Sequence, residues 1–172
     1  MKKRYCDTNI ITEFANESNL RNSLGEKGVD KFGEKLKGEK NEKTEVKSMN
    51  LDEGCMVSRN ALIKDIGGNT FVAGALTSYG RYKKIDFRET QDSYIKGKAY
   101  YKMACESETT PEGFKKRFCN GKDVKGSKKL ASSSKVDIMH LGSAVQLGAE
   151  EFITSNKRDF KPVSKFAKIK IK

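Results

Sequence analysis

The chain has 172 residues, of which 35% are hydrophobic and 34% charged, a composition that fits one polar domain with a buried core and excludes a disordered class. No apolar run approaches the length of a membrane span, and no apolar stretch follows the basic residues of the N-terminal MKKRYCDTN. We therefore expect no membrane segment and no signal peptide, and we predict a cytoplasmic protein.

The net charge of +12 is concentrated in two segments. Residues 113–135 contain eight Lys or Arg and one acid, and residues 157–172 contain seven and one, so that these segments carry +7 and +6. The rest of the chain is roughly neutral. Such local excess attracts polyanions, which favours nucleic acid as a partner over an ordinary solvated lysine-rich surface.

In the first half of the chain, short apolar runs alternate with helical patterns. Residues 3–7 indicate a buried strand, and Ile10, Ile11 and Phe14 give a helical stripe behind it. Residues 17–50 are highly charged but balanced in sign, which predicts one or two amphipathic helices or a mobile arm. Residues 55–58 indicate a second strand, and a helical pattern follows it as far as Gly67.

The second half contains a longer helical pattern and a basic segment. Residues 87–105 predict a helix that Gly97 weakens, and residues 106–135 predict a loop-rich segment with a short basic helix around Phe114 and Phe118. The segment KVDIMHLGSAVQLGAEEFITSNKRDF then reads as a helix stopped by Gly148 and a short strand. The alternating FAKIKIK predicts an edge strand. Together these elements predict an α/β fold.

Four aspartates occupy related places in this pattern. Asp7 ends the first strand, Asp137 opens the long helix, Asp159 follows the last strand pair of Phe152 and Ile153, and Asp65 lies about two turns into its helix. Carboxyl ends of parallel strands and the N-termini of the following helices share one edge of a sheet, where ligands bind. Clustered carboxylates repel unless a cation joins them, and oxygen ligands select Mg²⁺ or Mn²⁺. The structural alternatives are a turn or helix cap for the first three acids and a surface acid for Asp65.

The cysteines and the histidine do not fit a zinc site, because the chain has no CxxC pair and only one histidine. We predict reduced thiols for the four cysteines, with Cys6 and Cys55 buried as small hydrophobic residues. His140 lies one turn into the long helix and is expected to pack or hydrogen-bond internally, not to bind metal. No serine or cysteine has a credible base partner, so covalent catalysis is set aside.

Two motifs resemble those of PIN-domain ribonucleases. YCDTNIITEF, residues 5–14, resembles the opening motif of that family, in which an aspartate ends the first strand and Thr-Asn follows. VDIMHLGSAVQLGAEEFITSNKRDF, residues 136–160, resembles its C-terminal motif, an aspartate-led helix running into a strand that ends T-x-N-x-x-D-F. The likeness is greatest to prokaryotic VapC-type toxins and their archaeal relatives, and clear likeness covers about a quarter of the chain.

The middle of the chain departs from the family pattern. Where the family carries a glutamate after a strand ending in Ser, this chain has VSRNALIKDI, with Asp65 in the glutamate's place. The aspartate side chain is shorter than the family's glutamate, which bears on the strength of metal binding. Glu13 and Asp86 are the next candidates for the second acid. The resemblance implies a PIN-like three-layer α/β/α sandwich with a mainly parallel central sheet. It would form a single domain over residues 1–172, with charged helical or mobile insertions near 17–50 and 106–135.

The resemblance also implies a function. It predicts a Mg²⁺- or Mn²⁺-dependent endoribonuclease acting on single-stranded or structured RNA, either alone or as the toxin of a toxin–antitoxin pair. An antitoxin protein and a homodimer are the partners to test for besides RNA. The alternatives are a catalytically impaired PIN-like protein that binds RNA or acts as a scaffold and, more remotely, a 5′-nuclease-like enzyme acting on DNA structures.

The implied site residues fall into three groups. The metal ligands would be Asp7, Asp65, Asp137 and Asp159. The supporting polar residues would be Asn9, Ser58, Thr154 and Asn156. The basic residues placed to contact RNA phosphates are Lys157 and Arg158, beside Asp159, and the run Lys115, Lys116 and Arg117, which we expect to fold over the same face.

Overall fold

A computed structural model describes residues 2–10, 54–67, 85–119, 130 and 132–172. The predicted helices of 17–50 and residue Glu13 lie outside these ranges. The described elements, in chain order, are β1 (Arg4–Cys6), β2 (Cys55–Ser58), α1 (Arg59–Asp65), β3 (Ile85–Arg88), α2 (Ser93–Glu106), α3 (Glu112–Phe118), α4 (Ser132–Gln146), β4 (Glu151–Ile153), a 3-10 helix (Lys157–Asp159), α5 (Lys161–Ala167) and β5 (Lys170–Ile171).

The five strands form one sheet, and every pairing in it is parallel. The strand order is β3-β2-β1-β4-β5, so the chain moves outward from β1 in one direction and then returns to the other side of it. In a parallel sheet the place where this reversal occurs, here between β1 and β4, leaves a crevice at the carboxyl ends of the strands. This confirms the predicted α/β class with a parallel sheet.

Burial on the central strands shows that both sheet faces are covered. Consecutive residues point to opposite faces of a strand, yet Tyr5 and Cys6 on β1 are both buried, as are Phe152 and Ile153 on β4. The near-continuous burial is what an all-parallel sheet requires. On one side, Phe152 stacks between Tyr5 and Phe160, with ring centroids 5.4 and 4.4 Å away.

Helices α2 and α4 cross at two glycines. A Cβ atom built on Gly97 would lie 2.0 Å from the carbonyl oxygen of Ile138, and one built on Gly142 would lie 1.8 Å from that of Ser93. No side chain fits at either place. The glycine that weakens α2 by propensity is therefore required for close approach of the two helix backbones.

Several predicted boundaries need correction. The long helix begins at Ser132, not at Asp137, because the serine run predicted as a loop supplies its first turn. Residues 85–88, which overlap the predicted helix of 87–105, form strand β3. The FAKIKIK stretch contributes the end of α5 and only a two-residue strand. The glycine stops are confirmed, since Gly67 and Gly148 have φ of +72° and +71°.

The prediction of reduced thiols is also wrong for this structure. Cys6 of β1 is bonded to Cys55 of the adjacent β2, and Cys105 near the end of α2 is bonded to Cys119 just after α3. Cysteines 49 residues apart in sequence become neighbours only through strand pairing, which the sequence spacing does not reveal. None of the helices in the described ranges is long and apolar enough to cross a membrane.

Candidate metal centre

Asp7 is held at the carboxyl edge where β1 meets β4. Its backbone N–H donates to the carbonyl oxygen of Ile153 (2.9 Å), which extends the strand pairing by one residue. The Thr8 backbone N–H donates to Oδ1 (2.8 Å) and the Thr154 hydroxyl to Oδ2 (2.9 Å), so both carboxylate oxygens are oriented. Thr154 thus takes the supporting role predicted for it.

Asp65 and His140 lie beside Asp7. The Nε2 atom of His140 is 3.3 Å from Oδ2 of Asp65 and 3.8 Å from Oδ1 of Asp7. One ligand atom from each of the three residues can be chosen so that all lie within 4.8 Å of one another, close enough to surround one metal ion. Asp65, the predicted second acid, therefore lies beside Asp7. Asp86 instead forms an ion pair with Arg88, whose Nε is 3.0 and 2.9 Å from its two oxygens.

His140 is fully buried, and both of its ring nitrogens have hydroxyl partners, which confirms its internal hydrogen bonding. The Tyr5 hydroxyl lies 2.7 Å from Nδ1, and the Thr8 hydroxyl lies 2.9 Å from Nε2. Burial lowers the pKa of His140, but Tyr5, Asp65 and Asp7 outweigh that effect and raise the pKa well above its usual value. His140 therefore lies between two carboxylates, and the neutral imidazole would offer one nitrogen to a metal ion beside Asp7 and Asp65, whereas the protonated form would not.

Asp137 and Asp159 form the other half of the cluster. Nη2 of Arg117 donates to Oδ2 of Asp137 (2.7 Å), and Nη1 donates to Oδ2 of Asp159. The same Asp159 oxygen accepts a hydrogen bond from the side-chain amide of Asn156, the support that the sequence predicted. The side chain of Asp159 is almost completely buried, while that of Asp137 is about 15% accessible.

The two halves interact electrostatically. Burial raises the pKa of Asp137 well above its usual range, the negative charge of Asp7 raises it further, and Arg117 lowers it. Burial also raises the pKa of Asp7, against the opposing effect of His140, and Asp65 adds to the increase. Asp7, Asp65 and Asp137 are therefore electrostatically coupled, and Asp159 is joined to Asp137 through their shared partner Arg117.

Other predicted site residues lie elsewhere. Ser58 is fully buried and caps α1, accepting from the Ala61 backbone N–H (3.3 Å), and its hydroxyl contacts that of Thr90 at 2.7 Å. Asn9 lies in the helical turn that follows Asp7. Lys116 and Arg158 are exposed, and Arg158 Nε is 3.6 Å from an oxygen of Asp159. Lys115 and Lys157 are half-buried.

Sequence reasoning missed three contributors. Tyr5 and Thr8 orient His140, and the Tyr101 hydroxyl donates to the backbone oxygen of Asp159 (2.9 Å). Tyr5 and Thr8 could have been found from the sequence, because both lie within two residues of Asp7. Arg117, predicted to contact phosphates, is instead paired with two of the aspartates.

The donor set fits a hard divalent cation. Every acid of the group offers carboxylate oxygens, and none of the four cysteines is a free thiol that could compete for the metal. Comparison with protein-family models, with curated proteins and with solved structures finds no match for this chain.

Proposed function

We propose that this chain is a Mg²⁺- or Mn²⁺-dependent endoribonuclease with a PIN-like fold. The observation that carries the proposal is that Asp7 and Asp65 lie side by side at the carboxyl end of β1, with Asp137 coupled to both and Asp159 joined to Asp137 through Arg117. Helices on both faces of the sheet would complete the three-layer α/β/α sandwich, which the burial of consecutive residues on β4 supports.

The four aspartates would hold the ion. A bound Mg²⁺ or Mn²⁺ activates water and stabilises negative charge on a phosphodiester. The chain's own residues prepare the site for this. Thr8 and Thr154 fix both oxygens of Asp7, and Asn156 fixes one oxygen of Asp159, so the carboxylates need little reorganisation. Asp65 and Asp137 are the most exposed of the four, with about 26% and 15% of their side chains accessible.

RNA is the proposed substrate because cations border the same edge. Lys157 and Arg158 begin the 3-10 helix that ends at Asp159, and Lys115 and Lys116 precede Arg117 on α3. An electropositive rim around a metal centre draws a polyanion toward it. An antitoxin and a homodimer belong to the same proposal as partners to test.

A catalytically impaired RNA-binding or scaffold protein is the second candidate. Two observations favour it, the arginine that pairs with Asp137 and Asp159, and the short side chain at position 65. In that case the chain would bind RNA without cleaving it, with or without metal.

The test is RNA cleavage in Mn²⁺ and in EDTA, with Asp7→Asn and Asp137→Asn as separate variants. We expect EDTA and either substitution to abolish cleavage, while Asn preserves side-chain size. Asp7→Asn should change stability by less than about 1 kcal/mol, because it relieves repulsion between Asp7 and Asp65, whereas Asp137→Asn also weakens the ion pair with Arg117 and should cost about 1–3 kcal/mol. Thermal unfolding checks that both variants are folded in the assay. Cleavage by either variant at the unmodified rate would refute the assignment, and RNA binding without cleavage by the unmodified protein would favour the second candidate.

A further inference from the structure

Arg117 binds carboxylate oxygens of two aspartates that a metal ion would also need as ligands. Its guanidinium binds Oδ2 of Asp137 at 2.7 Å with one nitrogen and Oδ2 of Asp159 with another. A guanidinium group and a divalent ion are both cations that require these oxygens. When both bind the same oxygen, each interaction is weaker than it would be alone. Two cations held against neighbouring oxygens also repel each other.

Arg117 lies on helix α3, which is packed against the rest of the protein. Phe114 and Phe118 of α3 are buried, and both rings contact that of Tyr101 on α2, with centroids 5.5 and 4.7 Å away. The disulfide between Cys105 and Cys119 ties the end of α3 to the end of α2. Arg117 therefore reaches the aspartates from a fixed position.

The guanidinium itself is also constrained. Its Nε atom donates to the hydroxyl of Ser134 at 3.3 Å, and its central carbon lies 5.2 Å from the centre of the Phe118 ring. Only about 28% of the side chain remains accessible. An exposed ion pair contributes little, but a partly buried, two-point contact between an arginine and two carboxylates is strong.

From this geometry we infer that Arg117 is an internal inhibitor of metal binding, a built-in cation that occupies the carboxylate oxygens of Asp137 and Asp159. The inference rests on the proposed function, which makes these residues metal ligands. Metal loading then requires Arg117 to leave both aspartates. Helix α3 lies within the segment predicted as an insertion, so the insertion supplies the inhibitory group.

The test is the affinity for Mn²⁺ in the absence of RNA, followed by calorimetry or by the loss of the free-ion electron paramagnetic resonance signal. Arg117→Gln should bind Mn²⁺ at least about tenfold more tightly, since a neighbouring arginine changes the proton affinity of a carboxylate by roughly ten- to thousandfold. Lys102→Gln, at an exposed position on α2, is the control for loss of one positive charge and should change the affinity by less than about twofold.

Thermal unfolding gives a second readout. Without metal, Arg117→Gln should lower the unfolding midpoint, because Asp137 and Asp159 lose their counter-charge. Saturating Mn²⁺ should remove most of the difference, because ion and arginine satisfy the same oxygens. If the glutamine variant folds poorly, Arg117→Lys serves instead. It keeps the charge but cannot bridge two carboxylates, and its Mn²⁺ affinity should lie between those of the other two proteins.

The outcomes separate the inference from the function. Unchanged or weaker Mn²⁺ binding by Arg117→Gln, in a protein that binds the ion and cleaves RNA, overturns the inference alone. Tighter binding without RNA cleavage supports the inference and overturns the proposed nuclease. No Mn²⁺ binding by either protein overturns both.

Discussion

At the scale of single residues, one imidazole and one guanidinium group face the aspartates. His140, fully buried, faces Asp7 and Asp65, and Arg117, partly exposed, pairs with Asp137 and Asp159. His140 is held in place by hydroxyl groups on both ring nitrogens. Arg117 keeps about 28% of its side chain accessible. Under the proposed inhibition, this difference in burial would make Arg117, and not His140, the group that leaves the aspartates when a metal ion binds.

Position 65 is where the proposed metal centre is weakest. Asp65 ends α1 with about 26% of its side chain accessible, and one methylene more would carry its carboxylate farther into the cluster. We therefore expect Asp65→Glu to retain or increase Mn²⁺-dependent cleavage and Asp65→Ala to weaken Mn²⁺ affinity. Mn²⁺ titrations of cleavage and of direct binding measure both effects.

The matched control for that prediction is Asp86→Ala, because Asp86 is paired with Arg88 on β3. It should leave the Mn²⁺ dependence as it is. If both Asp65 variants behave like the unmodified protein, the second acid lies elsewhere, and Glu13 becomes the candidate.

At the scale of elements, the crossing of α2 and α4 positions half of the site. Helix α4 carries Asp137 and His140, and α2 carries Tyr101, whose hydroxyl contacts the backbone of Asp159. Gly97 and Gly142 set how closely these helices approach. A small change in this packing therefore moves the aspartates relative to each other.

We predict that Gly142→Ala destabilises the protein by about 1–3 kcal/mol or more, because its methyl group would meet backbone atoms that cannot rotate away. Gly97→Ala should act in the same direction. Gly113→Ala on α3 is the control, since a Cβ there meets nothing within 4 Å, and it should leave stability unchanged or raise it by up to about 1 kcal/mol. Chemical denaturation measures all three, and a neutral Gly142→Ala would show that the helices can separate without cost.

Elements with strong local signals were predictable from the sequence. The strands at residues 4–6 and 55–58, the helices closed by Gly67 and Gly148, and the basic helix around Phe114 all follow from apolar periodicity and glycine stops. Strand β3 was not predictable from the sequence, because IDFR is short and has only one buried residue, Ile85. The Arg117 contacts, the disulfides and the reach of Asp65 depend on tertiary proximity, which local patterns do not encode.

At the scale of the whole molecule, basic residues lie at both ends of the strands in the described part of the chain. The 3-10 helix with Lys157 and Arg158 lies at the carboxyl edge, beside the aspartates. Lys3 and Lys170 are exposed at the opposite edge, just before β1 and at the start of β5. An RNA strand bound across the metal centre would contact the first pair and not the second.

We predict that Lys157→Ala combined with Arg158→Ala weakens binding of single-stranded RNA and flattens the dependence of log affinity on log salt by about one to two, since each lost phosphate contact removes close to one released counterion. Lys3→Ala combined with Lys170→Ala removes the same charge from the far edge and should leave the slope nearly unchanged. Stability should change by only about half a kcal/mol in either case. The measurement is a salt titration of RNA affinity in Ca²⁺, chosen to occupy the site without supporting cleavage. Equal slopes for the two double variants would mean that RNA does not cross the carboxyl edge at the 3-10 helix, and would direct attention to Lys115 and Lys116 on α3 as the RNA contact.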